Sequence, residues 1–149
     1  MRSVEVGQSI GERQLVLTRD SLVRYAGASG DYNPIHYLDA FALDVGLPGV
    51  IAHGMLLMGQ AIQLVVDWLG DPAGVVDYTV RFGRWVPVPH PGEATLTVSG
   101  AIVGVDQAAG QARLTLKVTQ DGAKVLGKVN VVVRLDGQDP AEPAQATRP

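Results

Sequence analysis

The sequence predicts one α+β domain in which an antiparallel sheet covers a single long helix. Three observations carry that expectation. Helical periodicity is confined to the first half of the chain, with the longest apolar helix candidate between Gly54 and Leu69. The second half reads as strands that alternate apolar and polar residues and are joined by short turns. A length of 149 residues with 46% apolar and 18% charged side chains suits one packed core.

The elements follow in order. Val4, Val6 and the run Gln14-Leu15-Val16-Leu17 fit short strands, with Gly7 and Gly11 as breaks. Thr18 is placed to cap a helix, and Asp20 suits its positive end. Leu22, Tyr25 and Ala26 keep helical spacing, and Gly27 offers an end. A loop rich in Gly, Asp, Asn and Pro follows. A second short helix is expected over residues 38–45, stopping at Gly46. Leu47-Pro48-Gly49 signals a turn.

The helix from His53-Gly54 to Leu69 is apolar nearly all round. Gln60, Gln63 and Asp67 make one thin polar stripe, so most of its surface should be buried. Residues 76–85 read as a strand, broken by Pro87, Pro89 and Pro91. Over residues 93–103, Ala94, Leu96 and Val98 alternate with Thr95, Thr97 and Ser99. Over residues 112–119, Leu114, Leu116 and Val118 alternate with Arg113, Thr115 and Lys117. Asp121-Gly122 is a hairpin turn. The last strand covers residues 125–135, and its Val131-Val132-Val133 run suggests burial on both faces. The domain is expected over residues 1–137, with 138–149, rich in Pro and Ala and without periodicity, as a disordered tail.

Composition excludes several classes of function. The net charge is −3 and no basic run occurs, which argues against a nucleic-acid partner. No cysteine is present, so disulfides, thiol nucleophiles and zinc–thiolate sites are ruled out. The N-terminal residues lack the apolar core of a signal peptide, and the Gly54–Leu69 stretch is too short and too polar for a membrane span. The expectation is a soluble cytoplasmic protein. His36, His53 and His90 show no helical metal-ligand spacing, so no metal site is expected.

The chemistry concentrates in residues 25–42, YAGASGDYNPIHYLDAFA. A carboxylate, Asp31, and an imidazole, His36, stand five positions apart across a loop stiffened by Pro34, which also pushes Asn33 into an extended conformation. An acid and a base aimed at one point can activate one water. Hydration of a double bond conjugated to a thioester needs such a pair, and it needs a donor for the negative charge that builds on the thioester oxygen. A backbone N–H at a helix start suits the second need, and Gly54 opens the long helix without a side chain in the way. Read singly, Asp31 is also a good turn residue, and His36 a good structural one. His53 reads as a residue that caps or packs at the helix start, and His90, between two prolines, as a solvated loop residue.

Ser29-Gly30-Asp31, Asn33-Pro34, His36 and Ala42, with Ala52-His53-Gly54 downstream, resemble the motif of the MaoC-like family of (R)-specific enoyl-CoA hydratases and dehydratases. The resemblance implies a hotdog fold, with the sheet wrapped around the central helix. It implies a hydro-lyase interconverting a trans-2-enoyl thioester plus water with the (R)-3-hydroxyacyl thioester. It also implies Asp31 and His36 as the catalytic pair and Gly54 as the oxyanion contact, and it places Asn33 in the loop or in the site's hydrogen bonds. No cofactor is implied beyond the carrier of the acyl group, coenzyme A or acyl carrier protein. Domains of this family pair, so a homodimer or a heterodimer with another hotdog subunit is expected. The chain is also similar to catalytic subunits of actinobacterial dehydratases. Met55 and Met58 are candidates for an acyl pocket, although Met on a buried helix is more often core. Arg81, Arg84 and Lys128 stay open between coenzyme A phosphates and solvated charges. Two rival functions are weighed. A hotdog thioesterase would place a carboxylate early on the central helix, and residues 54–60 contain none. A non-catalytic hotdog partner would have lost Asp31 or His36, and both are present.

Overall fold

Alternation along the second half decides the sheet. In the computed structural model, which describes residues 3–135, β3 (Ala94–Asp106) and β4 (Gln111–Gln120) bury every second side chain, Leu96 and Val98 on one strand and Leu114, Leu116 and Val118 on the other. The strands β1 (Ser9–Leu17), β2 (Val75–Phe82) and β6 (Leu126–Arg134) complete an antiparallel sheet in the order β1-β3-β4-β6-β2, with the two-residue β5 (Ala123–Lys124) paired to β4. The turn between β4 and β5 is made by Asp121 and Gly122, both at positive φ (50° and 77°), as a tight Asp-Gly hairpin requires.

The helices pack on one face of this sheet. These are α1 (Arg19–Ser29), α2 (Asp39–Asp44), α3 (Gly54–Ala61) and α4 (Gln63–Leu69). Leu57, Ala61, Leu64 and Val65 from α3 and α4 join Leu17, Leu96, Ile102, Leu114 and Val131 in a single core. No helix among the described residues is long and apolar enough to cross a membrane. The expected tail at 138–149, and the domain end at 137, lie outside the described residues.

Several boundaries differ from expectation for local reasons. The lead-in forms one strand, not two. Gly11, at φ 107°, makes a bulge inside β1 instead of a break, and Val4 and Val6 stay outside any strand. Helix α1 continues through Gly27 and ends at Gly30, whose left-handed backbone (φ 76°) lets its N–H close on the Ala26 carbonyl. The central helix is broken at Ile62. The Tyr78 hydroxyl donates to the Met58 carbonyl at 2.9 Å, so Ile62 N–H reaches that carbonyl only at 3.3 Å, and the next turn tightens with Val65 N–H bonding to Ile62. Val131 and Val133 are buried but Val132 is only half-buried, because no layer among the described residues covers the outer face of the sheet. The polar stripe is partly used: Asp67 on α4 forms a 2.8 Å ion pair with Arg13 on β1.

Candidate active site

The site begins where α1 stops. After Gly30, Asp31 turns the chain by accepting from the Asn33 N–H at 3.2 Å, and Asn33 accepts in turn from the Ile35 N–H at 3.2 Å. Pro34, Ile35 and His36 then form a single 3₁₀ turn with Asn33 as its cap. Two bonds dock this turn on the segment before α3. The Ile51 N–H donates to the Ile35 carbonyl at 3.1 Å, and the His36 ring reaches the Ile51 carbonyl with Nδ1 at 2.7 Å. Residues 50–52 are themselves held by Val86 and Val88, through Ala52 N–H to the Val86 carbonyl and Val88 N–H to the Val50 carbonyl.

This frame fixes the tautomer of His36. A carbonyl oxygen only accepts, so Nδ1 carries the proton, and the neutral ring presents its lone pair at Nε2. Nε2 faces the Asp31 carboxylate at 3.9 Å, too far for a direct hydrogen bond. His36 is buried while Asp31 is half-exposed, so one member of the pair sits in the frame and the other stands at its rim.

His36 lines a cavity of about 270 Å³ together with Gly54, Leu57, Phe82, Trp85 and Leu126. Gly54 is the first residue of α3, so its N–H has no partner within the helix. His36 and Gly54 thus line one cavity, and Asp31, which is not among its lining residues, meets His36 at 3.9 Å. Asn33 lies beside them but spends its side-chain oxygen on the loop backbone. Met55 does not line the cavity: its side chain is 57% exposed, and Leu57 turns inward instead. A larger open hollow, about 550 Å³, lies elsewhere between Asp106 and Arg113, without a buried acid–base group.

Sequence reasoning missed the cavity's far wall. Phe82, Trp85 and Leu126 arrive from β2, the segment after it and β6, and no local motif marks them. It also gave His53 too little. His53 does not cap α3 through its side chain. It lies 1% exposed beneath His36, with ring centroids 3.7 Å apart and planes 23° apart. Burial lowers the proton affinity of His53; the Asp31 carbonyl opposes this and the neighbouring His36 adds to it. Donor atoms of Asp31, His36 and His53 lie within 4.8 Å of one another. The two rings are nearly parallel, and each already has one nitrogen at a carbonyl, Nδ1 of His36 at Ile51 and Nε2 of His53 at Asp31.

Residues 3–120 match the MaoC like domain. The chain belongs to the MaoC-like domain family. It is 38% identical over 71 residues to the peroxisomal enoyl-CoA hydratase 2 of Arabidopsis thaliana, covering 46% of this chain and 22% of that one. A solved structure of a MaoC-like dehydratase matches with a TM-score of 0.87 and 35% identity over 89% of this chain and 41% of its own. The (R)-hydratase from A. caviae involved in PHA biosynthesis matches with a TM-score of 0.77 and 25% identity over 91% of this chain and 100% of its own. The MaoC-like chain thus spans less than half the length of the first two and the full length of the third. Its sheet around a central helix is the hotdog fold of these structures.

Proposed function

We propose that this chain is a hydro-lyase that adds water to a trans-2-enoyl thioester to give the (R)-3-hydroxyacyl thioester, and runs the reverse dehydration. The observation that carries the reading is the pair of Asp31 and the Nε2 lone pair of His36, 3.9 Å apart, with His36 and Gly54 lining one cavity. That separation suits one water held by both groups. The water oxygen bonds to the β-carbon as the pair takes one of its protons. The electron pair of the double bond shifts to the α-carbon and the thioester oxygen, where the Gly54 N–H at the positive end of α3 opposes the charge. The pair then returns a proton to the α-carbon, so no net proton is gained or lost. Asp31 and His36 act as one coupled unit, and the base is not assigned to either alone.

The acyl group would enter beside Leu57, Val86 and Leu126, all apolar and buried. The carrier would leave past Arg84 and Trp85, both exposed, which also line a neighbouring hollow of about 340 Å³. An aromatic face and a cation without an ion-pair partner among the described residues suit the nucleotide end of coenzyme A. A second hotdog subunit, identical or not, would pair with this one at a sheet edge, since β1 and β2 each have one unpaired side.

The test is product analysis. Purified protein is incubated with a trans-2-enoyl-CoA, and the hydroxyacyl product is resolved by chiral chromatography. The reading expects the (R) product, with Asp31→Asn and His36→Ala each lowering turnover ~10²–10⁴-fold while still folded. An (S) product, or near-normal turnover by either variant, contradicts it.

A further inference from the structure

His53 has no task in that mechanism, yet its geometry is unusually constrained. Its Nε2 lies 3.2 Å from the Asp31 carbonyl oxygen, so Nε2 carries the proton. Its Nδ1 is then a bare lone pair, buried and without a partner among the described residues. Tyr25 closes the ring in edge-on at 4.9 Å, and His36 stacks on it. A residue needed only to fill this space would be better as a Phe, which leaves no buried nitrogen unsatisfied. The imidazole adds one thing, the N–H that reaches Asp31.

That bond matters because Asp31 is otherwise tied only to its own loop. Its N–H donates to the Ser29 hydroxyl and its Oδ1 accepts from the Asn33 N–H, both within two residues. Among the described residues, the bond from His53 is the one hydrogen bond that ties Asp31 to the frame carrying His36. We propose that His53 is a positioning residue: its Nε2–H anchors the backbone of Asp31 while its ring forms the floor under His36, so that it sets the spacing of the pair. The inference rests on the hydro-lyase reading and names the residue that holds its two catalytic groups in register. A displacement of about 1 Å in such a pair costs up to ~10²-fold in rate. Burial keeps His53 neutral, so the Nε2–H stays in place while protons move at its neighbours. The titratable groups facing it are Tyr25, Asp31 and His36.

The experiment compares wild type, Asp31→Asn, His53→Phe and His53→Gln in enoyl-CoA hydration, with thermal melts beside each. Phe keeps the stack and removes the donor; Gln keeps an N–H donor and removes the stack. The expected result is a ~10- to 100-fold lower kcat for His53→Phe at little-changed KM, with part of the loss recovered in His53→Gln. Wild-type kcat in His53→Phe overturns the proposal. So does a kcat loss in both variants that merely follows the folded fraction. Imidazole ¹⁵N NMR on the wild type decides independently of activity. The protonated-Nε2 tautomer of His53 supports the role, and the opposite tautomer overturns it. Absence of hydration by wild type would sink the hydro-lyase reading, and the NMR result would still decide where His53 places its proton.

Discussion

At Gly54 a single absent methyl group sets the mouth of the cavity. A Cβ there would lie 3.1 Å from the ring of Phe82, closer than ordinary contact. Phe82 is half-exposed, so Gly54→Ala can be absorbed by a small ring shift, whereas the branched Gly54→Val cannot. Gly54→Val is expected to lose activity toward the ~10²–10³-fold that one oxyanion donor is worth. A fully active Gly54→Val enzyme would remove Gly54 from the mechanism. His53 gives a pH signature. Its proton affinity is lowered in the fold, while the unfolded chain takes up the proton near the ordinary value of 6.5. Its contribution to stability is therefore complete above about pH 6.5 and declines as pH falls from there toward the lowered folded value. His53→Gln should flatten the change in melting temperature between pH 7.5 and 5.5; an unchanged pH dependence would contradict this. Asp31 and His36 were legible in the sequence because they lie five positions apart on one stiffened loop. Phe82, Trp85 and Leu126 were not, because their meeting is made by strand pairing between β2 and β6. The depth of His53 was equally invisible, since burial depends on what α1 lays over it.

Elements are placed by a few directed contacts. Arg19, at the start of α1, grips Asp39, at the start of α2, through a two-pronged pair at 2.7 and 3.0 Å, and its Nε donates to the Val88 carbonyl. Asp39 also accepts from the Val50 N–H at 3.1 Å. One residue thus ties α1, α2 and the 50–52 segment that holds His36. The Arg19 guanidinium, then the Val50 N–H, holds the Asp39 carboxyl below its ordinary value of 3.8. Its stabilising effect is present above about pH 4 and lost as pH falls through the lowered folded value. Asp39→Ala is expected to lower both the melting temperature and kcat at pH 7, and to differ less from wild type in acid. Equal melting at pH 7 would show that the clamp does no structural work. The helix start at Thr18 and the Asp121-Gly122 turn follow rules written in single residues, whereas the end of α1 passed the stop expected at Gly27 and came at Gly30, and the break at Ile62 follows no such rule. It arises because a Tyr on β2 competes for a helix carbonyl, and no window of α3 or α4 records that competition.

At the scale of the whole molecule, the described residues form a sheet with helices on one face and no layer on the other. β2 at one edge is mostly exposed, including Val76 and Phe82, and Trp85 follows it. Exposed apolar side chains next to unpaired strand edges are what an assembling hotdog subunit would present. Light scattering at micromolar concentration is expected to give twice the chain mass, alone or with a second hotdog subunit, and activity should follow the dimer. An active monomer would contradict that arrangement. The α+β class was legible because alternation along β3 and β4 is a local pattern that burial then enforces. The antiparallel run β3-β4-β6 was legible too, from the short turns that join its strands; the places of β1 beside β3 and of β2 beside β6 were not, since those pairings span long stretches of chain.

The central claim is that the Asp31–His36 pair hydrates an enoyl thioester. The most direct measurement follows the ultraviolet absorbance of crotonyl-CoA with a parallel assay for free thiol, using Asp31→Asn as control. The account predicts loss of the conjugated absorbance with no thiol released, and almost none of that loss in the control. Thiol release would instead mark a thioesterase, and equal rates in wild type and Asp31→Asn would take the chemistry away from this loop.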